Sequence, residues 1–120
     1  GSSAVYKGGI ISYVNAVKER VLGVPRQVLE QFGAVSRETA GCMVSGVRKL
    51  LDADVAVSVT GLAGPDGGTP EKPVGTVFVG ISTEKHTRVL PLRLVGDRMR
   101  IRTLTMKHAM NAVRIEAENL

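Results

Sequence analysis

Apolar positions along the chain recur at two spacings, and each spacing predicts a class of element. Residues 8–14 (Gly-Gly-Ile-Ile-Ser-Tyr-Val) are rich in β-branched and aromatic residues and predict a strand. Asn15 follows as the N-cap of a short helix ending near Leu22-Gly23. Pro25 suits the first position of a second short helix through Phe32, and Gly33 stops it. Ser36 caps a helix over 37–52, in which Ala40, Met43, Val44, Val47, Leu50 and Leu51 repeat at helical spacing and predict one buried face. Residues 54–60 (Asp-Val-Ala-Val-Ser-Val-Thr) carry little polar interruption, as expected of a strand in the middle of a sheet with both faces covered. A turn-rich loop runs from Gly61 to Pro73. Strands over 74–83 and 87–95 come next, joined around Glu84-Lys85-His86 as a hairpin. Asp97 caps a final helix over 98–118.

That last helix has two apolar faces. Ile101, Leu104, His108, Ala112 and Ile115 line one, while Met99, Met106, Met110 and Val113 line another well around the cylinder. Covering one sheet needs only one face, so the second predicts a further subunit or a chain segment lying against it. Helices interleaved with strands predict an α/β domain, a three-layer α/β/α sandwich on a mixed sheet, over 1–120.

Composition narrows the function classes. Aromatic residues are only 3% of the chain and Trp is absent, which argues against base-stacking platforms for single-stranded nucleic acid. A net charge of +5 suits an anionic ligand or nucleic acid equally well until the charges are placed. The single cysteine, Cys42, can form neither an internal disulfide nor a zinc knuckle, and its place on the apolar side of a helix predicts a buried, reduced thiol. No signal-peptide pattern and no long apolar run occur, so a cytosolic chain with no membrane role is expected.

Candidate chemistry lies first in the loop Thr60-Gly61-Leu62-Ala63-Gly64-Pro65-Asp66-Gly67-Gly68, which follows a strand. Ligands of open α/β sheets collect at the carboxyl ends of strands, glycines such as Gly61 and Gly64 let backbone N–H groups approach them, and Thr60 offers a hydroxyl. It is not a Walker A loop, because no Gly-Lys-Ser/Thr follows. Gly96-Asp97-Arg98 opens the last helix, where free N–H donors and the Arg98 guanidinium could clamp phosphate, with Arg100 and Arg102 adding positive field. A solvated helix start explains the same residues equally well. Tyr13 and Lys18, at a strand end and in the first turn of a helix, could face a cleft in which a desolvated lysine serves as base. Ser2 and Ser3 carry no local signal. His86 in a turn and His108 on an apolar face, without a Cys or carboxylate cluster, speak against a metal site.

Together these segments resemble one family, the C-terminal domain of the competence-damage-inducible protein CinA, also found as a stand-alone nicotinamide mononucleotide deamidase. The stretches that carry the resemblance are Gly1-Ser2-Ser3, Lys7 to Lys18, Leu22-Gly23-Val24, Gly33-Ala34-Val35-Ser36, Thr60 to Pro65, Gly67-Gly68, Lys72 to Val77 and Gly96-Asp97-Arg98. The run Thr-Gly-x-Ala-Gly-Pro followed by Lys-Pro-Val-Gly-Thr-Val is its most specific part. The resemblance implies an amidohydrolase that converts nicotinamide mononucleotide to nicotinate mononucleotide and ammonia, in pyridine nucleotide recycling, without metal or cofactor. It implies Ser3 as nucleophile, Lys18 as base and Tyr13 as its assistant. It also implies that Thr60, Gly61 and Gly64 contact the substrate while Arg98 binds its phosphate.

The family pattern opens with a strand and helix carrying Glu-Ser-x-Thr-Gly-Gly, which has no counterpart here, so the sheet is expected to lack that strand. The expected partners are a small nucleotide substrate and further copies of the chain in a homo-oligomer. The alternative functions are a catalytically silent nucleotide-binding or interaction domain of the same fold, and a nucleic-acid-binding module. Dispersed arginines and scarce aromatic residues count against the last.

Overall fold

A computed structural model describes all residues, 1–120. The elements are α1 (Asn15–Arg20), α2 (Arg26–Phe32), α3 (Arg37–Leu51), β1 (Val55–Gly61), β2 (Thr76–Thr83), β3 (Thr87–Arg93) and α4 (Arg98–Glu118). The two long helices begin where their caps predict. The Thr39 N–H donates to Ser36 Oγ at 3.1 Å and the Arg100 N–H donates to the Asp97 carboxylate at 2.8 Å, each satisfying an amide that the helix itself cannot. α1 departs from this pattern. Asn15 is its first helical residue, Val14 holds the cap position, and no side chain caps it.

The sheet has the order β1-β2-β3, with both pairs antiparallel. A parallel pair requires a crossover, usually a helix, and here only a loop and a tight hairpin join the strands. The three strands therefore contain no parallel pair of the expected mixed sheet. α3 covers one face, where Ser58 Oγ donates to the Ala40 carbonyl at 2.8 Å. α4 covers the other, where Ile101 and Ala109 pack with Val77 and Val79. The result is an α/β/α layering. On the outer side of α3, Leu22, Val24 and Leu29 from the α1–α2 region pack with Met43. No helix is long and apolar enough to cross a membrane.

Four expectations are corrected. Residues 8–14 form no strand: Ile11 is 93% exposed and Tyr13 90%, and with no strand beside them their β propensity has no ladder to join. β1 is an edge strand rather than a central one, because an apolar run reports covered faces and not the number of strand neighbours. The nearly uniform burial belongs to β2, the true centre. In α3, Leu50 is exposed although it is seven residues from Met43 and so on the same side of the helix, because it lies in the last turn, past the buried residues Thr39, Ala40, Met43 and Val44. In α4 the buried stripe is Ile101, Thr105, Ala109, Ala112 and Glu116, so His108 and Ile115 face solvent. The expected second face, with Met99, Met106 and Met110, is exposed.

The stripe on α4 can include polar residues because each is paired. Thr105 Oγ1 donates to the Ile101 carbonyl at 2.7 Å. Glu116 receives Arg88 Nη2 at 2.7 Å and is hydrogen-bonded to His86 Nε2 at 3.0 Å, which fastens the end of α4 to the β2–β3 hairpin. The bonds from Arg88 and then His86 hold the Glu116 carboxyl below its ordinary value of 4.5. A depressed carboxylate pKa contributes stability that is fully present above the unfolded value and is lost as pH falls through the folded one. Stability is therefore expected to fall on acidification below about 4.5 more steeply in the wild type than in Glu116→Gln. Urea midpoints measured from pH 6 to pH 3 check this, and parallel acid limbs in the two proteins would refute the assignment.

Candidate functional site

The loop between β1 and β2 is closed at its base by two backbone bonds. Leu62 N–H donates to the Thr76 carbonyl at 2.9 Å and Gly75 N–H donates to the Leu62 carbonyl at 2.8 Å. Its glycines have a packing reason. A β-carbon on Gly64, which sits at φ +80°, would fall 2.6 Å from Val74 Cγ1, and one on Gly61 would fall 2.8 Å from Val77 Cγ2. The loop wraps tightly over Val74, which only glycine permits at these points. Thr60 is buried, and its hydroxyl donates to the Ala34 carbonyl at 2.6 Å. That bond ties the end of β1 to the α2–α3 turn, so the hydroxyl proton is already engaged and only the oxygen lone pairs remain for a ligand.

Arg98 is brought to this loop from the start of α4. Its Nη1 donates to the Gly64 carbonyl at 2.9 Å, which uses one of five guanidinium donors. Between the loop and the first turns of α4 lies a cleft of about 320 Å³, lined by Gly61, Ala63, Val77, Ile101, Arg102 and Met106 among others. It is open to solvent, and its walls are mainly apolar with Arg102 at the side.

Lys18 lies elsewhere, on the α3 side of the sheet, in the region where Leu22 and Val24 pack against α3. It is 6% exposed and is the buried lysine of the chain. Its Nζ donates to the Ser12 carbonyl at 2.5 Å and reaches the Tyr13 carbonyl at 3.5 Å, and no carboxylate pairs with it. Burial lowers its pKa, because desolvation penalises the ammonium form and two neutral carbonyls do not replace a counter-ion. Tyr13 meets Lys18 through its backbone only, and its phenol points to solvent. Ser3 sits in an exposed N-terminal turn in which the Val5 and Tyr6 amides donate to the Ser2 carbonyl, and its hydroxyl makes no hydrogen bond. Cys42 is half-buried beside the Met43 cluster, and burial raises its thiol pKa.

The predicted residues thus fall into two groups. Thr60, Gly61, Gly64 and Arg98 gather at the end of β1, and Lys18 and Tyr13 stand together on the α3 side. Ser3 joins neither by a hydrogen bond. The Ser12 carbonyl and the cleft position of Arg102 had no distinct sequence signal, since every residue carries a carbonyl and alternate arginines on a helix look alike until the helix is rotated into place.

A family model described as the CinA C-terminal domain matches residues 1–117. A protein named as a competence-damage inducible protein in Thermoanaerobacter sp. (strain X514) is 54% identical over 114 residues, 95% of this chain and 28% of that protein. A CinA-like protein from Dictyoglomus thermophilum is 44% identical over 120 residues, all of this chain and 29% of that protein. The chain therefore spans less than a third of the length of these relatives. Among solved structures, the competence/damage inducible protein CihA from Agrobacterium tumefaciens superposes with a TM-score of 0.92 at 39% identity, over 100% of this chain and 73% of that one. A CinA superfamily protein from Klebsiella pneumoniae 700603 gives 0.92 at 28% identity, over 100% and 75%.

Proposed function

This chain belongs to the CinA C-terminal domain family, and from that premise we propose that it hydrolyses the amide of nicotinamide mononucleotide, in the cytoplasm, as a step of pyridine nucleotide recycling. The observation that carries the reading is Lys18, a buried amine with a lowered pKa and no carboxylate beside it. A paired lysine would stay protonated and could not act as a base. One held by two carbonyls can be neutral when substrate arrives.

In this reading Ser3 Oγ attacks the amide carbon while its proton passes to Lys18 Nζ. The C–N bond then breaks, and ammonia leaves with the proton that Lys18 returns. Water hydrolyses the Ser3 ester, giving nicotinate mononucleotide and the free serine. The guanidinium donors of Arg98 not used on Gly64 take the substrate phosphate, and the chemistry calls for no metal or cofactor.

A second reading is a silent nucleotide-binding domain. It is favoured by the absence of a Ser3–Lys18 hydrogen bond and by the separation of Lys18 and Arg98 across the sheet. Ammonia release from nicotinamide mononucleotide by the natural full-length protein separates the two. The amidohydrolase reading expects turnover, with KM raised roughly tenfold and kcat nearly unchanged in Arg98→Ala, because a phosphate contact remote from the amide binds ground and transition states alike. Binding of the mononucleotide with no ammonia release would leave the silent domain standing instead.

A further inference from the structure

We propose that Lys72 is a positioning residue, which locks the outer leg of the substrate loop to the α2–α3 turn; as a statement about catalysis, this rests on the amidohydrolase reading. Past its closed base the loop is held by two cations, one on each side of the sheet. Arg98, from the α4 layer, donates to the Gly64 carbonyl. Lys72 Nζ donates at 2.7 Å to the carbonyl of Phe32, the last residue of α2, 40 positions away in the chain. The loop is therefore a bridge across the end of the sheet, pinned to the helical layers on both sides.

The anchor that Lys72 uses is rigid. The carbonyls of Phe32, Gly33 and Ala34 are consecutive, and each accepts from a side chain of a different element. Phe32 accepts from Lys72, Gly33 from Ser36 Oγ at 3.0 Å and Thr39 Oγ1 at 2.7 Å, and Ala34 from Thr60. The last carbonyls of a helix have no partner within it and carry partial negative charge, so a lysine is well suited to that end. Gly33, at φ +81°, makes the turn that follows the Phe32 carbonyl, a backbone conformation that favours glycine. On the loop side, Lys72 is held in a tight turn: its N–H donates to Thr69 Oγ1 at 3.0 Å, and Thr69 N–H donates to its carbonyl at 2.9 Å. No carboxylate pairs with Lys72, so its charge is committed to the turn and not to a surface ion pair.

Removing this anchor frees one leg of the loop and leaves the base and the Arg98 tie in place. In the natural full-length protein, Lys72→Met is expected to raise KM for nicotinamide mononucleotide roughly tenfold with kcat within about twofold, because the cost falls on ordering the loop for binding. Lys72→Arg, whose side chain can also donate to the Phe32 carbonyl, is expected to restore KM to within about threefold of wild type. Hydrogen exchange is expected to speed at least about tenfold at the loop amides between 62 and 74 in Lys72→Met and to stay unchanged in α3 and β2.

An unchanged KM, a fall in kcat alone, a failure of arginine to restore, or faster exchange spread over the whole chain would each overturn the proposal. If the wild type releases no ammonia, the amidohydrolase reading falls and exchange alone decides for Lys72. Acceleration confined to the loop supports the positioning role, and unchanged loop exchange removes it.

Discussion

Lys18→Met is expected to lower kcat/KM for nicotinamide mononucleotide by roughly a thousandfold while leaving the fold at least as stable as wild type, since loss of a general base costs about 10²–10⁴. The two halves of this expectation come from the same burial. A lysine whose ammonium form is desolvated, with carbonyls and no counter-ion around it, costs folding free energy at neutral pH. Its folded pKa lies below its unfolded one, so the unfolded state binds more protons between the two values. Stability in the wild type should therefore rise with pH as it passes through the lowered pKa, and Met at position 18 should remove that rise.

The working base must be neutral, so wild-type kcat/KM should climb over the same pH interval. Ser3→Ala is expected to match Lys18→Met in lost activity, because nucleophile and base act as one unit and their losses do not add. Steady-state ammonia release and urea unfolding on the same variants check both halves. Wild-type activity in Lys18→Met would end the Ser-Lys mechanism. A severe loss of stability in that variant would mean that Lys18 is a structural donor to Ser12.

Gly80→Val is expected to cost about 3 kcal/mol of stability, the upper end for overpacking a close-packed core. Gly80 lies on the central strand directly beneath α3. A β-carbon there would stand 2.4 Å from Ser58 Oγ, 2.8 Å from the Ala40 carbonyl oxygen and 3.0 Å from Val44 Cγ1. Ser58 can turn away only by abandoning its bond to Ala40, and the carbonyl can move only if α3 lifts from the sheet. Gly41, one residue further along α3, gives the contrast. Its β-carbon would meet Val89 Cγ2 at an ordinary 3.7 Å, so Gly41→Ala should be neutral or stabilising by up to about 1 kcal/mol through helix propensity. Urea midpoints decide, and a Gly80→Val protein as stable as wild type would show that the α3–sheet approach is looser than described.

The candidate site was legible to very different depths. Thr60, Gly61, Gly64 and Arg98 stand out because turn residues and a helix cap have local signatures, and they do meet in space at the end of β1. Their roles were less legible. The glycines are explained by close packing on Val74 and Val77, and the Thr60 proton by a carbonyl in a distant turn. Lys18 looked like any lysine, and only the tertiary fold, by burying it without a carboxylate, gives it the lowered pKa on which the proposed chemistry depends.

By itself, the sequence determined where α3 and α4 begin, where the β2–β3 hairpin turns and which family the chain resembles. All of these rest on short-range rules of capping, periodicity and motif spacing. The tertiary structure alone decided that β1 is an edge, that 8–14 forms no strand, that α4 buries Thr105 and Glu116 rather than His108, and that Lys72 spans 40 positions to hold the loop. The physical reason is common to all four. Strand pairing, helix rotation and the satisfaction of a buried polar atom depend on neighbours far along the chain, and local propensity contains no information about them.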